Sequence, residues 1–357
     1  MANTLINDNY TIHIDNSMKA LVDFFEDKKD DFSSVFILVD ENTHSACVPL
    51  LLSKVEYLQE SEILEIDAGE EHKNIETATG LWHALLENGA DRNTLIINLG
   101  GGVVSDIGGF VASTFKRGIP FINIPTTLLG QIDAAVGSKT GIDLGNAKNQ
   151  VGAFAHPLGV FINTDFVDTL SDRDLASALG EFIKYALISD YVLWNMLVNQ
   201  EYDRDTDLGF IIKECLSIKN KLISEDLYEK GARKILNFGH TVGHAFESFS
   251  MGKNNRQLRH GEAVALGIIV ELYISAKVMG LDNNLQKKIE SYILKNFSFC
   301  AIDKSNFDEL LDLMRKDKKN VNNKISFVLI SDIGKPHYDQ FIDEELILEA
   351  LKYYSEL

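Results

Sequence analysis

Short β-branched runs alternate with amphipathic stretches from residue 35 onward, and this alternation constrains the fold more than any other feature of the sequence. The runs SVFILVD, EILEID and TLIINLGGG predict strands, and IETATGLWHALLENGA predicts a helix between the last two. Further strands are expected at FINIP (residues 121–125) and GVFINT (residues 159–164). Strands that alternate with helices indicate a parallel sheet with helices on its faces.

Near residue 170 a helical pattern replaces this alternation. Ser171 and Asp174 resemble a capping box that opens one long helical stretch, DLASALGEFIKYALISDYVLWNML. Most of the remaining sequence predicts helix, with KISFVLI as a candidate strand. We therefore expect an α/β fold with a parallel-sheet domain at residues 1–170 and a mainly α-helical domain at residues 171–357.

Composition excludes several classes of protein. A formal net charge of −19 argues against nucleic-acid binding, which needs clustered Lys and Arg. The polar N-terminus does not resemble a signal peptide, and no run of 18 apolar residues predicts a membrane span. Three widely spaced cysteines indicate reduced thiols in a cytoplasm. An anionic substrate would need a local basic pocket within this acidic protein.

Three of the nine histidines lie close together in the strings LNFGHTVGHAFES and RHGEAVALG. His240 and His244 are four residues apart and so share one face of a helix, and His260 follows shortly after. Two imidazoles so placed can both bind one metal, or one can bind the metal while the other transfers protons. Thr241 stands where the zinc motif H-E-x-x-H has its glutamate, which disfavours peptide hydrolysis by that route.

A carboxylate and two imidazoles would leave zinc an open coordination position, as catalytic zinc sites do. Glu181 is the expected carboxylate ligand, and Glu262 is its competitor. Glu181 also lies three residues before Lys184 on the same predicted helix face. A surface ion pair there would contribute ~0.3–0.5 kcal/mol, but the apolar neighbours favour a partly buried carboxylate whose partner is a metal.

Three glycines, residues 100–102, follow the predicted strand TLIINLGGG, with Asp106 shortly after them. They suit the approach of a phosphate to the backbone N–H groups of a helix N-terminus, or they simply form a tight turn. The G-x-G-x-x-G fingerprint is not met, because Ser105 occupies the third glycine position. Asp40 ends another predicted strand and suits either a ribose contact or a helix cap.

The segment DAAVGSKTGIDLGNAKNQVGAF is expected to be a loop, with Asp133, Lys139, Lys148 and Asn149 among small residues. Its lysines are either solvated surface groups or, because small residues allow a close backbone approach, contacts to a ligand. Arg117 in FKRGIP is a candidate to join them in an anion site.

Taken together, the chain resembles the 3-dehydroquinate synthase family over nearly its whole length. Six ordered strings carry the resemblance: GGGVVSD, PTTLLGQIDAAVGSKTG, KNQVGAF, LASALGEFIKYALISD, LNFGHTVGHAFES and RHGEAVALG. The resemblance implies a Rossmann-like N-terminal domain that binds NAD, a helical C-terminal domain that carries a divalent metal (zinc, with cobalt as an alternative), and a homodimer.

The resemblance also implies site residues by motif match. The implied metal ligands are Glu181, His240 and His260. The implied cofactor contacts are Asp40, Glu70, Lys73, Gly102, Val103, Val104, Ser105, Asp106, Thr126, Thr127, Lys139, Lys148, Phe166, Val167, Asp168 and Thr169. The implied substrate-binding and catalytic residues are Arg117, Asp133, Lys139, Asn149, Lys184, Lys219, Arg233, Asn237 and His244. Lys318, in a DKK string, resembles a further family element.

The family's substrate is 3-deoxy-D-arabino-heptulosonate 7-phosphate. The implied reaction is transient oxidation at C5 by NAD, β-elimination of phosphate, reduction, ring opening and aldol closure to 3-dehydroquinate, in the shikimate pathway. Arg117, Lys139, Lys184, Lys219 and Arg233 would supply the positive charge for a carboxylate and a phosphate.

Two alternatives remain at this stage. One is a sugar-phosphate cyclase that makes an inosose or a valiolone, against which Asn237 and the VGHA continuation argue. The other is a metal-dependent glycerol-phosphate or polyol dehydrogenase, against which KNQVGAF and LASALGEFIKYA argue. Ser105 and Ser138 depart from the glycine common in the family, and Lys116 from the glutamine, but none removes a group that the reaction needs.

Overall fold

The computed structural model describes residues 3–6, 9–145, 147–199, 206–251, 257–316, 320 and 324–357. The chain divides into two compact units. The first comprises Met1–Ser171 and Leu208–Asn220, and the second comprises Asp172–Asp207 and Lys221–Leu357. This division differs from the expected domains in one respect, because Leu208–Asn220 belongs to the first unit. Lys318 lies outside the described residues.

A seven-stranded sheet organises the first unit. Its strands, together with those of a separate hairpin, are β1 (Asn3–Ile6), β2 (Thr11–Ile14), β3 (Val35–Asp40), β4 (Glu62–Ile66), β5 (Leu95–Gly100), β6 (Phe121–Pro125), β7 (Lys139–Leu144), β8 (Ala147–Phe154) and β9 (Gly159–Ile162). The sheet order is β1-β2-β9-β6-β5-β3-β4, and β1 alone pairs antiparallel with its neighbour. The predicted parallel α/β fold is therefore confirmed.

Both faces of the sheet are covered by helices, which are α1 (Lys19–Lys28), α2 (Glu41–Lys54), α3 (Ile75–Glu87) and α4 (Gly102–Thr114). Successive residues of a strand point to opposite faces. Phe36 and Leu38 of β3 accordingly pack in one apolar core with residues of α3 and α4. Ile37 and Val39 pack in the other core, with residues of α1 and α2. Burial on both faces explains why these strands are apolar throughout.

The predicted loop around residues 133–154 is wrong over most of its length, because β7 and β8 form an antiparallel hairpin there. Its glycines serve strand pairing. Gly141 and Gly152 lie opposite each other, and a Cβ on Gly152 would lie 2.2 Å from the carbonyl oxygen of Thr140. The small residues that suggested a close approach to a ligand therefore permit a close approach of two strands. The strands β1 and β2 precede the first predicted strand and had no counterpart in the prediction.

The second unit is mainly helical, as expected. Its elements are α5 (Asp172–Ser189), α6 (Tyr191–Asn199), the end of α7 (Leu208–Glu225), α8 (His240–Met251), α9 (His260–Val278), α10 (Asn283–Asn296), α11 (Phe307–Arg315), β10 (Ser326–Ile330), β11 (Pro336–Phe341) and α12 (Glu344–Ser355). The single helix predicted after Ser171 is two helices, since the Asp190 side chain accepts hydrogen bonds from the N–H groups of Val192 and Leu193 and starts α6. Helix α9 is buried over most of its length, as its apolar sequence requires.

The strand KISFVLI is confirmed as β10, which pairs with β11 in a second hairpin. Among the described residues, no helix is both long enough and apolar enough to cross a membrane.

Gly152→Ala should destabilise the protein by about 1–3 kcal/mol, because its Cβ would press on the backbone of the paired strand. Gly80→Ala is the matched control, since Gly80 lies inside α3 with open space around it. The control should stabilise the protein by about 0.5–1 kcal/mol. Urea unfolding of both variants measures this, and equal stability of the two variants would contradict the assigned hairpin register.

Candidate active site

Three side chains of the second unit meet where two helices begin beside the middle of a third. Glu181 lies in the middle of α5, His240 is the first residue of α8, and His260 is the first residue of α9. Their potential ligand atoms all lie within 4.8 Å of one another. The structure therefore brings together the three residues implied as metal ligands.

The two distances from Glu181 to the imidazoles fit ligands that share a tetrahedral metal ion. Glu181 Oε1 lies 3.2 Å from His240 Nε2 and 3.4 Å from His260 Nε2. Ligands bound to zinc at about 2.0–2.1 Å with tetrahedral angles are about 3.3 Å apart. Glu181 is completely buried, with Oε1 facing the two imidazoles and Oε2 facing Lys184. A buried carboxylate in this state suits coordination by a cation.

His240 has the tautomer that a metal ligand needs. Its Nδ1 lies 3.1 Å from the carbonyl oxygen of Phe238, which accepts a hydrogen bond from that nitrogen. Burial lowers the pKa of His240 to about 4, although Glu181 acts in the opposite direction. The ring is therefore neutral at pH 7, with its Nε2 lone pair directed at Glu181 and available to a metal.

His260 is held by a second carboxylate that the sequence interpretation missed. Glu247 Oε2 lies 3.3 Å from His260 Nδ1, while Nε2 faces Glu181. Burial acts to lower the pKa of His260, but its hydrogen bonds to Glu181 and Glu247 outweigh burial and raise it to about 10. A carboxylate behind a histidine orients the ring and makes it a better ligand. The sequence did indicate that Glu247 lies near the histidines, because it follows His244 by three residues on the same helix face.

The surface ion-pair interpretation of Glu181 and Lys184 is wrong. Their side chains are 0% and 1% exposed, and Lys184 Nζ contacts Glu181 Oε2 directly. Burial alone would raise the pKa of Glu181, but Lys184 first and then His240 hold it well below its ordinary value. Glu181 is therefore ionised at neutral pH, as a metal ligand must be.

Glu262, the competing ligand candidate, is engaged elsewhere. Its two oxygens accept hydrogen bonds from Arg173 Nε at 2.9 Å and Arg173 Nη2 at 2.6 Å. It also accepts one from the backbone N–H of Arg259, at the start of α9. This bidentate pair leaves Glu262 as a helix-capping group, and the carboxylate at the centre of the cluster is Glu181.

Glycines beside the ligands allow the three helices to approach each other closely. Gly180 precedes Glu181, and a Cβ built on it would lie 1.9 Å from the carbonyl oxygen of Gly261, beside His260. A Cβ on Gly261 would lie 1.8 Å from the carbonyl oxygen of Ser177. Gly239 precedes His240 at the start of α8, and its φ of 81° disfavours any other residue. Only glycine fits these positions.

The second unit also contains His244, Arg233 and Asn237. The His244 ring lies 5.3 Å from that of His240 and 5.8 Å from that of His260, so it borders the metal cluster. Arg233 is buried and donates to the carbonyl oxygen of Leu227 at 2.6 Å. Asn237 donates to Glu229 at 2.6 Å. The structure brings His244 beside the three candidate metal ligands, whereas the hydrogen bonds of Arg233 and Asn237 tie these two side chains to the turn before α8.

In the first unit, the implied cofactor residues follow the carboxyl ends of parallel strands. Such strand ends border the ligand crevice of open α/β sheets. Asp40 ends β3, Glu70 and Lys73 follow β4, and Gly102 begins α4 directly after β5. Thr126 and Thr127 follow β6, and a helical turn at Thr164–Thr169, which holds Phe166, Val167, Asp168 and Thr169, follows β9. The sheet topology therefore gathers them at one edge.

Gly102 begins α4, and its N-cap residue, Gly101, has no side chain with which to cap the helix. Its first N–H groups, including those of Val103 and Val104, are suited to an anion such as a phosphate. Ser105 turns its hydroxyl to the carbonyl oxygen of Gly101 at 3.1 Å, so the departure from glycine is accommodated within the helix. Asp40 instead caps α2, where its Oδ1 accepts from the N–H of Thr43 at 2.8 Å. Its ribose contact stays a prediction.

Lys73 connects several implied residues at this edge. Its buried Nζ lies 3.0 Å from Glu70, 3.2 Å from Asp106 and 2.8 Å from Asn149 Oδ1. Burial acts to lower the pKa of Lys73, but Asp106, Glu70 and the nearby Asp143 raise it above its ordinary value. Lys148 Nζ lies 3.5 Å from the same Glu70 oxygen. These residues form one charged cluster that fastens the hairpin to the turn after β4.

Asp133 and Lys219 are paired within the first unit. Lys219 Nζ donates to the carboxylate of Asp133 at 2.7 Å and to its carbonyl oxygen at 2.8 Å. Lys139 begins β7 with an exposed side chain. Arg117 is exposed beyond the C-terminal end of α4, about 20 Å along that helix from Gly102. Its role in an anion site stays a prediction.

The other departures from the family pattern occur at strained backbone positions. Ser138 has a φ of 61°, and its hydroxyl lies 2.7 Å from His156 Nδ1. Lys116 has a φ of 49°. Both conformations favour glycine or asparagine, so their side chains are tolerated at some cost in backbone energy.

Gly261→Ala should weaken divalent-metal binding by at least about tenfold, because α5 and α9 must separate to admit the new Cβ. Chelator competition with zinc and cobalt on the metal-stripped protein measures this. Gly80→Ala is the control and should bind as tightly as the wild type. An unaltered affinity in a folded Gly261→Ala protein would show that helix spacing does not set the site.

Metal binding should release about one proton at pH 7. His240, with its pKa of about 4, is already neutral, whereas His260, with its pKa of about 10, must lose a proton to bind. Affinity should therefore rise with pH, and proton release should vanish above the pKa of His260. Titration calorimetry in buffers of different ionisation enthalpy counts the protons, and zero release at pH 7 would refute the charge states assigned here.

Models of the two domains of one enzyme family match consecutive parts of the chain. The 3-dehydroquinate synthase N-terminal model matches residues 63–177, and the C-terminal model matches residues 178–320. The 3-dehydroquinate synthase of Parabacteroides distasonis is 42% identical over 340 residues, covering 94% of this chain and 95% of that protein.

Solved structures share the fold at lower identity. A 2-epi-5-epi-valiolone synthase of Streptomyces hygroscopicus, solved with NAD⁺ and Zn²⁺, has a TM-score of 0.84 and 24% identity over 100% of this chain and 99% of its own. A 2-deoxy-scyllo-inosose synthase, solved with carbaglucose-6-phosphate, NAD⁺ and Co²⁺, has a TM-score of 0.81 and 24% identity, covering 100% of this chain and 99% of its own. At this identity the likeness establishes the fold alone. The match to both domain models and the 42% identity over almost the full length establish that this chain belongs to the 3-dehydroquinate synthase family.

Proposed function

We propose that the protein is a 3-dehydroquinate synthase, which converts 3-deoxy-D-arabino-heptulosonate 7-phosphate to 3-dehydroquinate and phosphate in the shikimate pathway. Identity of 42% to a curated family member, against 24% to the inosose and valiolone synthases, supports this cyclase over the other two. The observation that carries the proposal is the buried cluster of Glu181, His240 and His260.

Each unit carries residues for one of two bound groups. When bound, NAD supplies a reversible hydride acceptor, and a divalent metal supplies Lewis acidity to the hydroxyl that is oxidised. Glu181, His240 and His260 would hold the metal, with zinc or cobalt suited to this ligand set. Three protein ligands leave a position for a substrate oxygen.

For NAD, the N-terminus of α4 supports binding of the pyrophosphate at the first residues of this helix, from Gly102 to Asp106. The cluster around Lys73 supports contacts from Glu70 and Lys148 to the remainder of the cofactor. We propose the same for Asp40, Lys139, the threonines after β6 and the turn Thr164–Thr169, because they border the same sheet edge.

Several charged or polar side chains are proposed to bind and orient the substrate. Lys184 is buried against the central carboxylate and is placed to donate a proton or a hydrogen bond beside the metal ligands. His244 borders the same cluster and is a candidate proton carrier. Arg117, Asp133, Lys139, Asn149, Lys219, Arg233 and Asn237 are proposed to complete the substrate contacts. Hydrogen bonds to Asp133 and to the carbonyl oxygen of Leu227 hold Lys219 and Arg233 in fixed positions, which reduces the entropy lost on binding.

Two further expectations belong to this proposal. The family resemblance supports a homodimer. Free cysteines at Cys47, Cys215 and Cys300 support a reducing compartment, and we propose the cytoplasm.

The direct test supplies the heptulosonate phosphate to the protein loaded with NAD and zinc, and measures phosphate and 3-dehydroquinate. Equal amounts of both products, with no net NADH, are expected. Phosphate released from another sugar phosphate, with none from the heptulosonate, would indicate an inosose or valiolone synthase. Net accumulation of NADH with a polyol would indicate a dehydrogenase.

Lys184→Ala should lower kcat/KM for the heptulosonate by about tenfold to a hundredfold, equivalent to one charge-assisted hydrogen bond. Lys335→Ala is the matched control, because Lys335 forms an exposed ion pair with Asp332 at the same spacing of three residues. Steady-state kinetics compare the two variants. Wild-type kinetics in Lys184→Ala would remove this residue from the proposed site.

A further inference from the structure

The start of α8 is capped by a carboxylate that lies 32 residues away along the chain. Glu271 of α9 accepts hydrogen bonds from the N–H groups of Gly239 at 2.7 Å, Thr241 at 3.2 Å and Val242 at 3.4 Å. Glu271 is completely buried. These three donors lie on both sides of His240, so one carboxylate fixes the backbone that presents this ligand.

The local sequence cannot supply this cap. Helix N-termini are usually capped by Ser, Thr, Asp or Asn, but here Gly239 precedes His240. Gly239 is required, because a Cβ on it would lie 2.5 Å from Ile268 Cγ1 and 2.9 Å from the carbonyl oxygen of Val264. The close packing of α8 on α9 therefore excludes a local capping side chain and brings Glu271 within reach instead.

Electrostatics give this carboxylate a second effect. The N-terminus of a helix carries a partial positive charge of roughly +0.5. His240 and His260 are the first residues of their helices, so a divalent cation held by them lies at two positive helix ends. At the start of α9, the negative charge of Glu262 is paired with the positive charge of Arg173. At the start of α8, the negative charge of Glu271 lies directly against the backbone N–H groups and opposes the repulsion between the cation and the positive helix end.

We propose that Glu271 is a positioning residue of the metal site, which fixes the backbone on both sides of His240 and offsets the positive end of α8. The inference rests on the proposed metal function. It assigns to Glu271 an effect on metal affinity, exerted through His240 without contact to the metal. The signal in the sequence is a single carboxylate in the apolar run VALGIIVELYIS, where a buried charge requires partners.

The test compares Glu271→Gln with Glu290→Gln. Glu290, in α10, is also a buried carboxylate of the second unit. It accepts hydrogen bonds from Tyr353 and Lys287, neither of which is a proposed metal ligand. Chelator competition with zinc on the metal-stripped proteins should give an affinity about tenfold weaker for Glu271→Gln. Glu290→Gln should bind as the wild type does. Added zinc should restore the activity of Glu271→Gln, which a general folding defect would not allow.

Wild-type affinity in a folded Glu271→Gln protein would overturn the inference and leave the proposed function intact. A wild-type protein that binds no divalent ion would overturn the proposed metal function, and this inference with it. Should Glu271→Gln fail to fold, Glu271→Asp keeps the charge on a shorter side chain. The rise in Tm on adding zinc should then be smaller for Glu271→Asp than for the wild type, and an equal rise would overturn the inference.

Discussion

The close backbone contacts among α5, α8 and α9 are the constraint on which the metal cluster depends. Each proposed ligand is adjacent to a glycine that lets two helices meet: Gly180 beside Glu181, Gly239 beside His240, and Gly261 beside His260. Larger residues at these positions would separate the helices by more than the ligand distances tolerate. The glycines thus affect metal binding through helix packing, because they set the distances between the side chains that must bind one ion.

A carboxylate network then determines the charge and orientation of each ligand. Glu247 orients His260, Glu262 caps α9, and Glu271 caps α8. Lys184 keeps Glu181 ionised in a completely buried position. The second unit therefore combines a rigid helical framework with buried acidic groups, whereas the first unit gathers its proposed cofactor residues by the ordinary rule of a parallel sheet, at the carboxyl ends of the strands.

Local pattern was sufficient to predict most strands and helices, because their burial imposes a visible periodicity. It was insufficient for the hairpin of β7 and β8, where Gly141 and Gly152 resemble loop residues but serve strand pairing. The metal triad followed from the spacing of the histidines together with the family strings. Glu247 and Glu271 were missed, because their partners become neighbours only when α8 packs on α9. The choice of Glu181 over Glu262 likewise depends on Arg173, which lies 89 residues from Glu262.

The central claim is that Glu181, His240 and His260 bind one divalent metal. Zinc K-edge X-ray absorption of the protein loaded with one equivalent of zinc tests this most directly. The account predicts two imidazole nitrogens at about 2.0–2.1 Å, oxygen in the remaining positions and no sulfur. His260→Ala should fail to retain a full equivalent of zinc, because an open site with three protein ligands cannot spare one of them. A sulfur ligand, or a spectrum without imidazole, would contradict the account.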